Sequence, residues 1–566
     1  MNVKTHEISL TDGNLFLKLL RISVPLILST LLQLLYNAAD LIVCGQFGSS
    51  HSVAAISATA SLINLYIQLL IGLSVGANVL MARCYGSGDR EHGQKVVYTS
   101  MVFALVSGLI IGIIGATTSH LFLKLMQTPA EIIDLSTSYL VIYFIGLPFS
   151  MIYNFGSSIM RATGDTKRPF YFLTAAGVIN VLLNLFFVIV CDMDVAGVAL
   201  ATTLSQGISA LCVVVAMLRN HGFFHFRFRE VRFYGTVAKE IAVIGIPAGV
   251  QGMLFSISNV MLQSSINSFG TSVMDGNGAA VSLEGFVYAT MNSVAQTASS
   301  FASANYGAKK WKNVRNTTFY ASALVMLFWG VSAGIVFFFR QPLLGLYLNA
   351  GDTVAFDAAK ERILAVCCTY FLCGLMDTFA YALRGIGHSF LSMSVCLAGV
   401  CGLRLVWIYL IFPHPAYHSM YSLMLSYPIS WMITGTIETT LFFIVLRKEK
   451  KKYLLTEQAH YPPLHRKSDT KRRCKTMLYD FCDGWLFHDG DIQTLPPEMK
   501  GPVYMQTKTE CRMRGPASLH YCDAPDDYGI TDTRALHREL THERWERVTL
   551  PHDYMINAEL PKTGNP

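Results

Sequence analysis

The amino-acid sequence predicts an all-α membrane protein with twelve transmembrane helices, in two six-helix repeats around a central cleft. A small C-terminal tail is predicted to be either an incomplete β-type fragment or disordered. Apolar residues make up 52% of the chain and charged residues only 14%, whereas soluble domains are about 25% charged. Twelve apolar stretches are about 20 residues or longer, as a bilayer requires. The second six stretches also repeat features of the first six at a nearly constant spacing.

The predicted helices fall into two sets separated by a basic, aromatic connector. The first set covers residues 20–46, 53–82, 96–118, 136–160, 170–192 and 195–218. The second set covers residues 241–268, 277–304, 316–339, 363–383, 391–413 and 420–446. These sets predict an N-terminal lobe (1–218), an interfacial cytoplasmic connector (219–240), a C-terminal lobe (241–447), a basic linker (448–479) and an incomplete domain (480–566). The polar start of the chain leads directly into a full-length span and predicts no cleavable signal peptide.

The distribution of Lys and Arg predicts the orientation in the membrane. These residues cluster in the N-terminal segment, after the second, fourth, eighth and twelfth predicted helices, and in the connector. The alternate loops are nearly free of them, apart from Lys124 and the group Arg340, Lys360 and Arg362. Positive loops stay cytoplasmic, so both termini are expected in the cytoplasm. The formal charge of +7 therefore reflects orientation and does not indicate nucleic acid as a partner.

The internal repeat is visible residue by residue. Four residues of the first helix recur 222 positions later: Pro25, Asn37, Phe47 and Gly48 as Pro247, Asn259, Phe269 and Gly270. A six-helix unit inserts the same way up in both copies, so the pseudo-two-fold axis is expected along the membrane normal. Duplicated folds of this kind commonly serve alternating-access transporters.

Asp40 is the outstanding residue of the first predicted helix. One helical face carries four polar residues at spacings of three and four: Ser29, Gln33, Asn37 and Asp40. An intramembrane acid costs about 2.5 to 3.5 kcal/mol and usually marks a functional site. Asn180 and Asn184 could face this acid from the fifth helix. Asp40 could then exchange a proton or bind Na⁺; alternatively, it only hydrogen-bonds a neighbouring helix. The bend expected at Pro25 makes that residue a candidate hinge.

Three further acids lie within predicted helices: Glu284, Asp377 and Glu438. Glu284 is interpreted as either a cavity residue or an interfacial acid. Asp377 is interpreted as either a gating or ion-binding residue or a helix-packing one. Arg404 is the one basic residue expected well inside a helix. It is expected to neutralise an acid or reach toward the interface, and the alternative is contact with substrate. In the second repeat, the position equivalent to Asp40 is Leu262, so the acid belongs to one lobe only.

The sequence also limits the energy source. It contains no phosphate-binding loop of the Walker type, so transport is expected to be driven by an ion gradient. None of the thirteen Cys forms a CxxC pair, and no structural metal site or cofactor is predicted apart from a possible Na⁺ at Asp40.

The chain resembles the multidrug and toxic compound extrusion (MATE) family over residues 10 to about 450. Six segments carry the resemblance: Pro25–Gly48, Arg161–Pro169, Ala196–Gln206, Ala304–Ala308, Arg384–Ser389 and Val400–Ile408. The similarity is greatest to bacterial members of the Firmicutes and DNA-damage-inducible branches. It implies two six-helix lobes with a V-shaped opening, and export of organic cations and drugs in exchange for H⁺ or Na⁺.

The resemblance also implies roles for individual residues. Asp40 is expected to bind the coupling ion, with Asn37, Asn180 and Asn184 beside it, and Pro25 to act as the hinge. Five residues are candidates for the substrate cavity or second acid sites: Gln33, Tyr139, Thr202, Glu284 and Asp377. The chain has Asn184 where some relatives have Asp, and it lacks the seventh-helix Glu of others. Glu284 is the nearest substitute for that Glu.

The tail resembles a different family. Two segments, Asp480–Asp491 and Trp545–Ile556, are similar to the N-terminal β-sandwich of glycoside hydrolase family 2. The sequence ends before such a sandwich could close, and the paired catalytic carboxylates belong to the missing part. No hydrolase activity is expected. A joined neighbouring reading frame is the favoured explanation, and a cytoplasmic binding tail is the alternative.

These observations predict a transporter and not an enzyme: a monomeric, multi-pass antiporter of the bacterial inner membrane that exports small organic cations or drugs. One alternative is a flippase for lipid-linked oligosaccharides. Such proteins have more spans and a strongly cationic cavity, whereas Arg404 is the only buried basic residue expected here. A membrane-anchored glycosidase is the third possibility.

Overall fold

A computed structural model describes residues 8–49, 51–220, 222–348 and 351–460, together with three short strands nearer the C-terminus. The chain divides into two compact units, Met1–Leu455 and Thr456–Pro566. The first unit contains the membrane domain, which determines the position of the candidate site.

Twelve long helical segments follow one another in the membrane domain. They are α1 Leu15–Phe47, α2 Ser52–Ser87, α3 Arg90–Leu125, α4 Ala130–Ile145 with Leu147–Ala162, α5 Lys167–Val190, α6 Asp194–Arg219, α7 Gly235–Asn267, α8 Thr271–Gly307, α9 Trp311–Phe338, α10 Thr353–Gly385, α11 Ser389–Ile411 and α12 Met420–His460. Within the described residues, ten helices are long and apolar enough to cross a membrane, or eleven if the bent pair in α4 is one span. The remaining segment, α8, is equally long at 37 residues but more polar.

Several helices contain breaks that the hydrophobic pattern did not predict. The single span expected at residues 136–160 is a pair of helices bent by 45° at Gly146. The second helix of the pair begins at Leu147 and has Pro148 in its first turn. Proline lacks a backbone N–H and cannot continue the hydrogen-bond ladder. Segments of π-helix occur in α5 (Phe186–Val190) and α11 (Leu397–Gly402 and Trp407–Ile411). Short helical turns complete the domain at Phe228–Glu230, Arg340–Leu344, Cys367–Thr369 and Pro415–Tyr417.

The connector is packed against the protein. Phe223, Phe224 and Phe226 are buried, although the sequence predicted an interfacial segment. A Cβ placed on Gly93 of α3 would lie 2.6 Å from the Phe223 ring, and the Arg168 guanidinium lies 5.5 Å from the centre of the Phe224 ring. These three aromatics therefore bury their apolar area against the protein, whereas Phe228 and Phe233 of the same connector are 67% and 56% exposed. The interfacial position of the connector stays a prediction.

The N lobe (α1–α6) and the C lobe (α7–α12) meet through closely spaced backbones. A Cβ placed on Gly72 of α2 would lie 2.1 Å from the Gly249 nitrogen of α7. Small residues permit such approaches between membrane helices. Ser300 donates a 2.8 Å hydrogen bond to Asn78 across the same interface. Among the described residues, hydrogen bonds between the lobes occur only in the half of the domain that carries the connector, from the middle of the helices outward. This half ends at what is called the closed end below.

The N-terminal segment, residues 8–14, crosses this closed end. Leu10 is 1% exposed, and its carbonyl accepts a 3.0 Å hydrogen bond from Asn305 Nδ2 of the C lobe. Lys310 donates to Asp12, and this hydrogen bond holds the pKa of the Asp12 carboxyl below its usual value. The segment was predicted only as a polar terminus. It is instead a strap between the lobes.

The second unit contains three antiparallel strands, β1 Leu478–Phe481, β2 Trp485–Asp489 and β3 Cys511–Arg514, in the order β1-β2-β3. Phe481 pairs with Trp485, and Asp489 pairs with Cys511. The predicted segment Trp545–Ile556 lies outside the described residues. The predicted linker begins as helix, because α12 continues to His460.

The close approach of α2 and α7 predicts that Gly72→Val destabilises the closed end. A branched side chain cannot fit 2.1 Å from backbone without separating the helices, and overpacking typically costs about 1 to 3 kcal/mol. We expect a lower melting temperature of the purified protein. Gly330→Ala in α9 is the control, because a Cβ there meets open space. Equal melting temperatures for both variants would contradict the proposed packing.

Candidate ion-coupling site and buried charges of the C lobe

The N lobe holds one carboxylate between three helices. Asp40 of α1 is 8% exposed. Its Oδ1 accepts a 2.5 Å hydrogen bond from Asn184 Nδ2 of α5, and its Oδ2 accepts a 3.4 Å hydrogen bond from Thr202 Oγ1 of α6. Asn180 joins the group, because it donates to Thr202 and accepts from Asn184, each over 3.3 Å. The structure thus brings together four of the predicted residues.

This cluster has unused acceptor capacity. Asn184 is fully buried, and its Oδ1 has no hydrogen-bond partner among the described residues. The two ends of an amide exchange places by rotation, and a protonated carboxyl becomes a donor. A protonated Asp40 could therefore donate a hydrogen bond to Asn184 Oδ1. A bound Na⁺ could use the same oxygen together with the carboxylate. Within the described part of the chain, no group of three or more His, Cys, Asp or Glu is arranged to hold a metal ion.

The remaining predicted residues of the N lobe occupy different positions. Tyr139 is 6% exposed and belongs to the same apolar cluster as Val43 and Cys44, one turn from Asp40. Gln33 and Asn37 are exposed and lie outside the Asp40 cluster. Pro25 is buried inside α1, which runs from Leu15 to Phe47 without interruption.

In the C lobe, Glu284 forms a buried ion pair. Arg362 of α10 donates to both carboxylate oxygens of Glu284, with distances of 2.9 to 3.2 Å, and the two residues are 4% and 1% exposed. Arg362 also donates over 2.8 Å to Asn277. Glu284 is therefore neutralised inside the lobe, and it does not face headgroups.

Arg362 was the main residue that the sequence analysis misplaced. It was grouped with loop cations that broke the orientation rule, and Arg404 was expected to be the only buried basic residue. The structure buries three basic residues of the C lobe: Arg362, Arg384 and Arg404. The departure of Arg362 from the orientation rule could have indicated its burial, because a cation on the side with few Lys and Arg needs a local partner.

The other two acids of the C lobe are also buried. Asp377 Oδ2 accepts long hydrogen bonds from Tyr288 (3.5 Å) and Asn292 (3.4 Å) of α8. Glu438 Oε1 accepts from Ser392 and Cys396, whereas Glu438 Oε2 has no partner among the described residues. These contacts place each acid within the lobe, and neither forms a direct ion pair in the described part of the chain.

Arg404 shares the Tyr427 ring with Arg362, whose guanidinium lies 5.3 Å from the centre of that ring, but the two cations differ in their other partners. Arg404 donates to Ser430 over 3.4 Å and to Asn259 over 3.2 Å, and its guanidinium lies 4.2 Å from the centre of the Tyr427 ring and 5.8 Å from that of Trp431. Attraction to an aromatic face partly replaces hydration of the cation. Among the described residues, no carboxylate lies within ion-pair distance of Arg404.

A small cavity of about 20 Å³ lies between the lobes next to their closed end. Its polar lining comes from both lobes and includes Asn78, Ser158, Arg161, Gln296 and Tyr381. Polar groups of spanning helices face the bundle interior or water. The cavity is therefore a polar space shared by the two lobes.

Comparison with known proteins matches both halves of the chain. A family model described as MatE matches residues 25–186 and 247–410. The probable multidrug resistance protein YoeA of Bacillus subtilis is 27% identical over 372 residues, which cover 64% of this chain and 80% of that protein. The FAD transporter of Shewanella oneidensis is 21% identical over 421 residues, which cover 74% of this chain and 92% of that protein.

Solved structures agree in fold. An outward-facing multidrug resistance MATE family transporter superposes with a TM-score of 0.73 at 20% sequence identity, covering 79% of this chain and 99% of that chain. The family model starts at Pro25 in one half and at Pro247 in the other, which is the internal spacing read from the sequence.

The buried ion pair predicts that Glu284→Gln strongly destabilises the protein. The substitution leaves Arg362 buried without a counter-charge, and breaking such a pair typically costs about 3 to 5 kcal/mol. The measurement is thermal unfolding of the purified protein. Asp357→Asn is the matched control in α10, the helix of Arg362, because the ion pair of Asp357 with Lys360 is exposed and is expected to contribute about 1 kcal/mol or less. Similar melting temperatures for both variants would show that the Glu284 pair contributes little.

Proposed function

The chain belongs to the MatE family of membrane transporters, and from that premise we propose that it exports amphipathic organic cations in exchange for H⁺ or Na⁺. The observation that carries this proposal is the buried Asp40 carboxylate, held by donors from α5 and α6. An antiporter needs a site that takes either the ion or the substrate. A carboxylate that changes charge within the N lobe supplies such a site.

Ion uptake would change the contacts that join α1 to its neighbours. With Asp40 charged, Asn184 and Thr202 both donate to it. With Asp40 protonated, one carboxyl oxygen becomes a donor and needs the unpaired Asn184 Oδ1 as its acceptor. The rearrangement alters how α1 sits against α5, and Pro25 provides a point at which α1 can bend. Substrate is then displaced from the cleft beside α1.

The proposed cleft runs along the exposed polar face of α1. Gln33 and Asn37 are exposed on that helix. Polar residues of spanning helices are rarely placed against lipid. Because the lobes meet from mid-helix to the connector end, the cleft opens at the opposite end. If both termini lie in the cytoplasm of a bacterial inner membrane, as the charge distribution predicts, this conformation is open to the outside.

The names of the relatives indicate which substrates this chain could transport. The Bacillus subtilis protein is named a probable multidrug resistance protein, and the Shewanella oneidensis protein is named a FAD transporter. Organic cations are proposed here because Asp40 is a buried carboxylate of the N lobe without an ion-pair partner in the described part of the chain, whereas the buried Asp165 pairs with Arg168. The flippase alternative rested on a strongly cationic cavity. Arg362 does not supply one, because Glu284 neutralises it.

The finer features also remain proposals. We infer a monomer of the Firmicutes and DNA-damage-inducible branch, with Tyr139 and Asp377 as second-site residues. The tail is inferred to be a fragment of glycoside hydrolase family 2 joined to the transporter. Its division from the membrane domain after Leu455 supports a separate origin.

The proposal predicts that Asp40→Asn abolishes gradient-driven efflux. The amide has a similar shape but cannot change charge, so dye export should fall at least tenfold and lose its dependence on the pH or Na⁺ gradient. The measurement is ethidium efflux from vesicles with the two gradients imposed separately. Glu131→Gln is the control, because Glu131 is an exposed acid of the same lobe. Gradient-dependent efflux that persists in Asp40→Asn would refute the role of Asp40.

A second prediction concerns the identity of the ion. Asn184→Asp places a second carboxylate in contact with Asp40. Two negative charges attract a cation more strongly than one. We expect Na⁺ to stimulate efflux more in this variant than in the wild type, with half-maximal stimulation at a lower Na⁺ concentration. Asn180→Ala, which removes an amide without adding charge, serves as the comparison. An unchanged Na⁺ response would exclude cation binding at this cluster.

A further inference from the structure

The strap over the closed end, residues 8–14, is fastened to the N lobe. It continues without a break into α1. Lys18, in the first turn of that helix, donates to the carbonyl oxygens of Ser9 over 3.0 Å and of Asp12 over 2.6 Å. A Cβ placed on Gly164, in the turn that follows α4, would collide with the backbone at the start of the strap. The strap therefore belongs to the N lobe and is expected to move with it.

The same segment makes a second set of contacts with one hairpin of the C lobe. This hairpin, residues 305–313, joins the end of α8 to the start of α9. An exposed ion pair connects its Lys310 to Asp12 of the strap. Two amide side chains of the hairpin donate to strap carbonyl oxygens over 3.0 Å: Asn305 to Leu10, and Asn313 to Thr11.

Leu10 is the apolar part of this contact. Its side chain is 1% exposed and belongs to the largest apolar cluster of the membrane domain. Beside it, Phe16 in the first turn of α1 contacts Tyr320 of α9, with the ring centres 5.9 Å apart. Apolar area that is covered in this way is stabilising, and returning it to water is unfavourable. Separation of the lobes at this end would therefore cost both hydrogen bonds and buried apolar area.

We propose that residues 8–12 are a latch that holds this end of the protein closed. The latch is carried by the N lobe, and the hairpin of the C lobe is the surface on which it closes. When the closed end opens, the two amide hydrogen bonds break and Leu10 leaves its apolar contact. The proposal rests on the alternating transport function and adds to it the element that stabilises one of the two states.

The latch holds only one half of α1. The half that precedes Pro25 is tied to the C lobe through the strap, whereas Asp40 lies in the half that follows Pro25. Ion uptake at Asp40 therefore acts on the part of α1 that the latch does not hold. Release of the latch and uptake of the ion are then two distinct events, which different experiments can measure.

The test measures how fast a cysteine inside the closed end reacts with N-ethylmaleimide. Ser299→Cys introduces this cysteine, because Ser299 is 2% exposed and lines the cavity between the lobes. The purified full-length protein is held in nanodiscs, and mass spectrometry of its peptides reports each cysteine separately. Leu10→Ser in this background removes the apolar contact and should raise the rate at position 299 at least tenfold. Asn313→Ala removes one hydrogen bond and should raise that rate at least threefold.

Matched variants and native cysteines provide the controls. Leu10→Met keeps an apolar side chain of similar volume, so position 299 should react within twofold of the parent rate. Lys312→Gln changes an exposed residue of the same hairpin and should also leave the rate within twofold. Cys44 and Cys396, which are 1% and 0% exposed in the N and C lobes, report on folding. Their reaction rates should stay unchanged in every variant.

Three results would overturn the latch. In the first, Leu10→Ser leaves the rate at position 299 unchanged. In the second, Leu10→Met or Lys312→Gln raises that rate as much as Leu10→Ser does. In the third, position 299 gains reactivity in Leu10→Ser and in Asn313→Ala only together with Cys44 and Cys396, which would mean that the domain unfolds and that no single end opens.

The transport function is measured separately, by gradient-driven ethidium efflux of the wild type. Failure of that efflux, with position 299 still protected by Leu10, would remove the proposed antiport and leave the latch. Normal efflux with a rate at position 299 that does not depend on Leu10 would remove the latch and leave the antiport.

Discussion

Dehydration of charge is the constraint on which the structure of the membrane domain depends. A charged side chain within a bilayer needs partners that replace water, and each lobe meets that need differently. In the N lobe, the Asp40 carboxylate receives neutral donors from Asn184 and Thr202. In the C lobe, Glu284 receives a full positive charge from Arg362. The first arrangement leaves the carboxylate without a counter-charge, whereas the second pairs it with one.

The fold was predictable because its signals are long or repeated. Twelve apolar stretches and the spacing from Pro25 to Pro247 predict the two lobes without any side-chain contact. The position of Asp40 inside a spanning helix was predictable for the same reason, since an acid in an apolar run stands out. The family model then matched one segment in each lobe, residues 25–186 and 247–410. These features depend on local composition, which a sequence displays directly.

The missed features all depend on contacts between distant residues. Arg362 appeared to be a loop cation because Glu284 lies 78 residues away. Leu10 appeared to belong to a polar terminus because its carbonyl is satisfied by Asn305, 295 residues away. Asn37 shares a helical face with Asp40, yet it is exposed while Asp40 is buried. Helical spacing identifies a face, but the packing of neighbouring helices decides which part of that face is covered.

The closed end must be easy to open if the protein alternates. Its described contacts are close approaches of small residues, such as Gly72 with Gly249, and hydrogen bonds such as Asn78 with Ser300. No buried ion pair joins the lobes in the described part of the chain; the pair between Asp12 and Lys310 is exposed and therefore weak. The strong charge pair, Glu284 with Arg362, lies within one lobe and can move with it as a body. Separation of the lobes thus leaves no deeply buried charge unpaired. A single change in charge at Asp40 would then have to supply only a modest free-energy difference between the two arrangements.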